Sequence, residues 1–214
     1  MKRLYWISLS VNVILVFCVA YLWLSAQKCD KDKEATPTSN QEINIVMLGN
    51  SITNHGEWKQ LLNRNDVFNG GMPGWTSQQL SWVIEDFVGE KNPEICFFMA
   101  GINDYTLGIS TDRIVQNICT NLDSIQGFGT TPVFTTTLYQ RGNEQVNREI
   151  DKLNAGVIEY CKEKGYDILD LRPLLCGEDD ILDQYVLPDN THLEKEAYPV
   201  WAGAVKELLE EKNL

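Results

Sequence analysis

Ile43-Asn44-Ile45-Val46-Met47-Leu48-Gly49-Asn50-Ser51 is a short apolar run that stops abruptly in a glycine, an amide and a hydroxyl. A run of this length rich in Ile, Val and Leu reads as a buried strand, and the Gly-Asn-Ser after it reads as the turn that leaves the strand. The same unit recurs. Residues 66–69 (DVFN), 94–100 (EICFFMA), 131–137 (TPVFTTT) and 166–171 (YDILDL) are further buried-strand candidates. Helical periodicity occupies the intervals at roughly 58–63, 77–88, 111–125, 143–164 and 194–212, the last with Ala197, Trp201, Val205 and Leu208 on one face. Strand and helix alternate five times, which predicts an α/β fold: an open, mostly parallel five-stranded sheet with helices on both faces. In such a sheet ligands gather at the carboxyl ends of the strands, so the loops after the strands are where function is sought.

Outward from this domain, which is expected to span 43–214, the N-terminus reads differently. Leu4 to Gln27 carries no charge, and as a helix at roughly 1.5 Å per residue it would reach about 36 Å, enough for a bilayer. Met1-Lys2-Arg3 places positive charge before it, which favours an N-in, C-out orientation. Residues 1–27 are therefore expected to be a single-pass transmembrane anchor with the domain outside the cytoplasm. A cleaved signal peptide, which would leave a secreted domain, normally has a shorter apolar core, and Ser25-Ala26 is only a loose cleavage site. A lipid-modified Cys29 is disfavoured by the charge on Lys28. Residues 28–42 are polar and charged without apolar periodicity, as expected of a flexible tether.

Composition narrows the function classes. Across 214 residues there are 18 basic and 30 acidic side chains, a net charge of −12. Residues 1–34 hold five basic and three acidic groups, so the remainder of the chain carries −14, a poor surface for nucleic acid. Two histidines and six cysteines show neither C-x-x-C nor H-E-x-x-H spacing, so no metal site is expected. The scattered cysteines read mostly as small core residues.

Four loops hold the chemistry-bearing residues. Ser51 directly follows the first strand, where a turn exposes its hydroxyl beside free helix-terminal amides, although a serine after Gly-Asn is more often a turn or N-cap residue. After the second strand, Asn69-Gly70-Gly71-Met72-Pro73-Gly74-Trp75-Thr76-Ser77 offers glycines that let backbone amides approach a ligand, with Thr76 or Ser77 as a helix cap. The third strand ends in Gly101-Ile102-Asn103-Asp104, which puts an amide donor at the same rim. Before the last helix, Asp189-Asn190-Thr191-His192 has the spacing at which a carboxylate supports one imidazole nitrogen and leaves the other free as a base.

Taken in order, these four blocks resemble the SGNH, or GDSL-type, esterase and lipase family, and the resemblance covers residues 43–212. It implies a flavodoxin-like three-layer α/β/α fold and a serine ester hydrolase that uses no cofactor and no metal. It also implies Ser51 as nucleophile, His192 as general base and then acid, and Asp189 as its orienting partner. The oxyanion hole would be the backbone amides of Ser51 and Gly74 with the side chain of Asn103. One departure is Asn50, where the family usually has an aspartate that supports the loop, and Leu193 stands where a proline often follows the histidine.

Trp75, Tyr105 and Tyr139 are candidate substrate contacts, with Arg141 in the same region; Trp75 would be either a platform for an acyl group or sugar or a buried side chain packing its helix, and the other three are substrate contacts or plain rim residues. His55, four residues after Ser51, lacks a carboxylate at turn spacing and is expected either to face solvent or to line the pocket. The substrate would be an acylated small molecule, lipid or glycan, with short acyl groups such as acetyl preferred because the loops are short. Two other readings compete. A catalytically silent glycan- or acyl-binding protein on the same fold has only Asn50 in its favour, and a nucleotide binder would want G-x-G-x-x-G or G-x-x-x-x-G-K-[ST] where this chain has Gly49-Asn50-Ser51-Ile52-Thr53-Asn54.

Overall fold

β1 (Ile45–Gly49), β2 (Val67–Gly71), β3 (Ile95–Met99), β4 (Thr131–Thr135) and β5 (Asp167–Leu169) form one sheet in the order β2-β1-β3-β4-β5, and all four pairings are parallel. The structure, a computed structural model, describes residues 42–214. The expected anchor and all of the tether except Glu42 lie outside the described residues, as do Cys18 and Cys29. Among the described residues no helix is long and apolar enough to cross a membrane.

Alternate side chains of the central strands serve opposite faces, as the two-residue period of a strand requires. Ile45 and Met47 of β1 join Ile95, Phe97 and Met99 of β3 in one core, whereas Val46 and Leu48 join Cys96 and Phe98 in the other. Full burial on both faces explains why these strands read as continuous apolar runs. The first core is covered by α1 (Ser51–Asn54), α2 (Trp58–Leu62) and the last helix; the second is covered mainly by the helices between β2 and β5. Two of these lie in α/β crossovers: α5 (Thr111–Gly127), which buries Ile114, Ile118, Leu122 and Ile125, and α6 (Glu144–Lys164), which buries Leu153, Val157 and Cys161 on the same side. Cys96, Cys119, Cys161 and Cys176 are all buried thiols.

The strands sit within two residues of their expected bounds, but three short helices escape the sequence reading. α1, α4 (Ile102–Thr106) and α7 (Arg172–Leu175) have too few turns to show a period. The helix expected over 77–88 is subdivided: α3 (Ser77–Leu80) passes through a 3₁₀ turn (Ser81–Val83) into a π turn (Glu85–Gly89). Leu80, Ile84 and Val88 nevertheless stay buried, so the apolar pattern reported the face correctly and not the winding. The last helix, α8 (Ala197–Lys212), buries Trp201 against Trp58 edge-on at 4.7 Å between ring centroids.

The strand order reverses beside β1: the chain runs outward to β2, then crosses back to β3. In open α/β sheets ligands bind outside the carboxyl ends of the strands at such a switch point, here between the loops after β1 and β3. Ser51 and Asn103 begin on those two loops.

Candidate active site

The turn that follows β1 is built by short polar side chains with particular partners. Asn50 is extended and caps α1, its Oδ1 accepting the Ile52 amide at 2.9 Å. A neutral amide thus supplies the hydrogen bond that the usual aspartate would, which answers the departure noted at this position. A helix of four residues leaves its carbonyls exposed to desolvation, and here two side chains satisfy them. The Tyr198 hydroxyl donates to the Ile52 carbonyl at 2.9 Å and the Trp58 indole to the Thr53 carbonyl at 2.8 Å. Asn54 donates to the Gly71 carbonyl at 2.9 Å, tying the turn to β2. Gly71 is obligatory, because a Cβ there would lie 2.3 Å from the Asn54 nitrogen.

On this support Ser51 Oγ stands 2.8 Å from His192 Nε2, and His192 Nδ1 stands 2.7 Å from Asp189 Oδ2. The other carboxylate oxygen, Oδ1, accepts the backbone amides of Thr191 at 3.0 Å and His192 at 2.9 Å. The His192 amide, with lesser help from the Thr191 amide and the imidazole, holds the Asp189 carboxyl down at about 2. The carboxylate is therefore ionised wherever a histidine can act as a base. The loop is shaped from outside as well. Arg141 Nε donates to Asn190 Oδ1 at 2.8 Å, its backbone amide to the Asn190 carbonyl at 3.0 Å, and Gln140 Nε2 to Thr191 Oγ1 at 3.0 Å.

The second and third blocks are latched together. Asn103 Nδ2 donates to the Trp75 carbonyl at 2.9 Å, which uses one of its two N–H groups and leaves the other free for a ligand. Its neighbour Asp104 is wholly buried and accepts from the Ser77 hydroxyl at 2.6 Å and the Ser77 amide at 2.9 Å. Burial raises the Asp104 carboxyl above its ordinary range, against the pull of those two bonds. Thr76 closes a capping box with Gln79 at the start of α3. Gly74 sits between these ties with φ of +79°, a left-handed conformation that favours glycine, and its amide has no backbone acceptor.

The aromatic candidates are placed differently from one another. Trp75 is half-buried and packs edge-on to the exposed Trp82 at 6.0 Å, next to Gly74. Both tyrosine hydroxyls are bonded to α6. Tyr105 donates its hydroxyl to the Glu149 carbonyl at 3.0 Å, and Tyr139 is buried with its hydroxyl on Asp151. Burial pushes both phenols up to about 12. Each is directed at α6, because a phenol that leaves a strand end beneath a packed helix finds its partner there. Arg141 is a support of the histidine loop, as described above. His55 is exposed, and its ring centroid lies 5.2 Å from that of His192. Gln140, Asp104 and Tyr198 had no local signal in the sequence, since each acts on a residue at least 27 positions away. Among the described residues, no group of three or more His, Cys, Asp or Glu side chains is arranged to hold a metal ion.

Comparison with known proteins meets this geometry. A GDSL-like lipase from Bacteroides thetaiotaomicron superimposes with a TM-score of 0.71 at 21% identity, covering 87% of this chain and 97% of that one. A lipase/acylhydrolase from Enterococcus faecalis gives 0.69 at 19% identity, with 79% and 96% covered. A carbohydrate esterase family 3 protein from Talaromyces cellulolyticus gives 0.65 at 16%, with 80% and 99% covered. At these identities the likeness is one of fold. Among curated proteins, an N-acylneuraminate cytidylyltransferase from Streptococcus agalactiae is 25% identical over 159 residues, which is 74% of this chain and 37% of that protein. The chain thus matches little more than a third of the length of its curated relatives. The sequence profile of the GDSL-like lipase/acylhydrolase family matches residues 47–200, from the middle of β1 into α8. By that match, over most of its length, the chain belongs to the GDSL-like lipase/acylhydrolase family.

Proposed function

We propose that the chain is a serine carboxylic ester hydrolase that removes a short acyl group, such as acetyl, through a Ser51 acyl-enzyme. The observation that carries the reading is the continuous hydrogen-bonded line from Ser51 Oγ through the His192 ring to Asp189, at 2.8 and 2.7 Å. A serine hydroxyl is a poor nucleophile until a base accepts its proton, and His192 Nε2 is in position to do so. Asp189 fixes the ring orientation and stabilises the imidazolium as it forms. Charge developing on the attacked carbonyl oxygen falls to the Ser51 and Gly74 amides and the free N–H of Asn103. His192 then passes its proton to the departing alcohol, and water repeats the sequence to release the acid.

The short connection after β2 supports a small acyl group, since only residues 72–76 separate β2 from α3. The alcohol can be a lipid, an aryl group or a glycan, and the fold shared with a carbohydrate esterase agrees with the last of these. The alternative, a catalytically silent glycan- or acyl-binding protein, is disfavoured by the intact line of Ser51, His192 and Asp189, and Asn50 still caps the turn. The domain is proposed to work outside the cytoplasm behind a membrane anchor at residues 1–27, which protease accessibility of the domain on intact cells would test.

Hydrolysis of p-nitrophenyl acetate by the full chain, with Ser51→Ala beside it, tests the chemistry. Ser51→Ala is expected to lose on the order of 10⁴- to 10⁶-fold in kcat. Equal turnover by parent and variant removes Ser51 from the mechanism.

A further inference from the structure

A cleft of about 490 Å³, within the size range of small-molecule sites, reaches the histidine loop through two of its lining residues, His55 and Leu193, the chain neighbour of His192. Its wall nearest the reaction is His55, packed against the His192 ring. Leu61, Leu187, Leu193 and Tyr198 make an apolar floor, and Glu57, Glu194 and Lys195 stand with His55 as polar groups around it. Tyr198 and Leu193 are buried members of the main core, so the floor is part of the scaffold.

The reaction itself says what should lie there. When Ser51 Oγ bonds to the carbonyl carbon, the bond from that carbon to the alkoxy oxygen breaks. The alkoxy oxygen takes the proton that His192 Nε2 removed from Ser51. That oxygen must come within hydrogen-bond reach of Nε2 while the carbonyl oxygen faces Asn103, so the alcohol moiety extends on the histidine side. We propose that the cleft is the subsite for the alcohol moiety of the ester and that this alcohol is a sugar.

A sugar ring presents C–H faces to an apolar floor and hydroxyls to its edge. Here carboxylates accept such hydroxyls and an ammonium donates to them. Two carboxylates against one lysine repel a phosphate-bearing alcohol, which argues against a phospholipid headgroup. The inference rests on the esterase reading above and specifies the other half of its substrate.

Two acetate esters that differ only in the alcohol, 6-O-acetylglucose and methyl acetate, test it with the full-length protein. The quantity measured is the ratio of their kcat/KM values. The sugar ester is expected to be preferred by the parent protein. Leu61→Trp, which fills the cleft, should lower the ratio by at least about tenfold, and Glu57→Gln, an exposed substitution that removes one acceptor charge, by about threefold to tenfold. Should Leu61→Trp melt well below the parent, Glu57→Gln decides alone. Ser51-dependent turnover with no sugar preference in the parent, or with a ratio that the deciding variants leave unchanged, overturns the subsite and leaves the esterase standing. No turnover of either ester by the parent overturns both.

Discussion

Ser51 and His192, the proposed nucleophile and base, are held by opposite strategies. The turn at Ser51 belongs to the core: Asn50 and Ser51 are buried, and the backbone behind them is bonded by Tyr198, Trp58 and Asn69 from three other elements. The loop at His192 is at the surface, with the side chains of His192 and Asp189 29% and 49% exposed. Its shape depends on one carboxylate that binds two backbone amides with one oxygen and the imidazole with the other. Damage to the residues that brace the turn at Ser51 should therefore register first as lost stability. Damage to the base side should register as lost rate.

Asp189 gives the largest effect that would break this contrast. Asp189→Asn keeps an oxygen for the Thr191 and His192 amides but removes the charge beside the ring, so kcat should fall on the order of 10⁴-fold while the loop keeps its conformation. Asp189→Ala removes both functions, and hydrogen exchange at Thr191 and His192 should rise only in that variant. Equal exchange in the two would mean that the carboxylate does not shape the loop. Asn103→Ala comes next, with an expected loss of about 10²- to 10³-fold in kcat and little change in KM. A rise in KM alone would make Asn103 a ground-state contact.

On the buried side, Tyr198→Phe leaves the Ile52 carbonyl without its partner. About 1 to 3 kcal/mol of stability should be lost, seen as a lower melting temperature with kcat largely kept. A drop in kcat without a drop in stability would reverse the assignment of roles.

These experiments bear on residues of unequal visibility in the sequence. Buried parallel strands are continuous apolar runs, and Ser51, Asn103, Asp189 and His192 each follow a strand or precede a helix, so their placement could be inferred locally. Direction could not. Whether Tyr105 and Tyr139 face solvent or α6 depends on which helix packs over them, and both hydroxyls turned out to be engaged by Glu149 and Asp151. The latch between Asp104 and Ser77 likewise joins two blocks 27 positions apart. Nothing at either position alone distinguishes it from an Asx turn and a helix cap.

The two aspartates also sharpen the contrast through pH, with a smaller effect. The Asp189 carboxyl lies at about 2 in the folded chain, so its contribution is present above the ordinary range near 3.8 and is lost as pH falls towards 2. Asp104 is shifted the other way by burial, so its contribution is fullest below that range and declines as pH rises through its elevated value. Asp104→Asn, which cannot ionise, should therefore lag the parent most at low pH, and the gap in melting temperature should narrow as pH rises. A gap that widens instead would show that the buried carboxylate is favoured in its charged form.

The bond from Tyr198 to Ile52 spans 146 positions, and the one from His192 to Ser51 spans 141. Few contacts in a chain of this size close later during synthesis. A ribosome releases the turn that carries Ser51 long before Tyr198 and His192, and loop closure over that distance is slow. The nascent chain thus carries Ser51 without its partner through most of its synthesis, and the hydrogen-bonded line to Asp189 closes only after residues 189–192 have emerged.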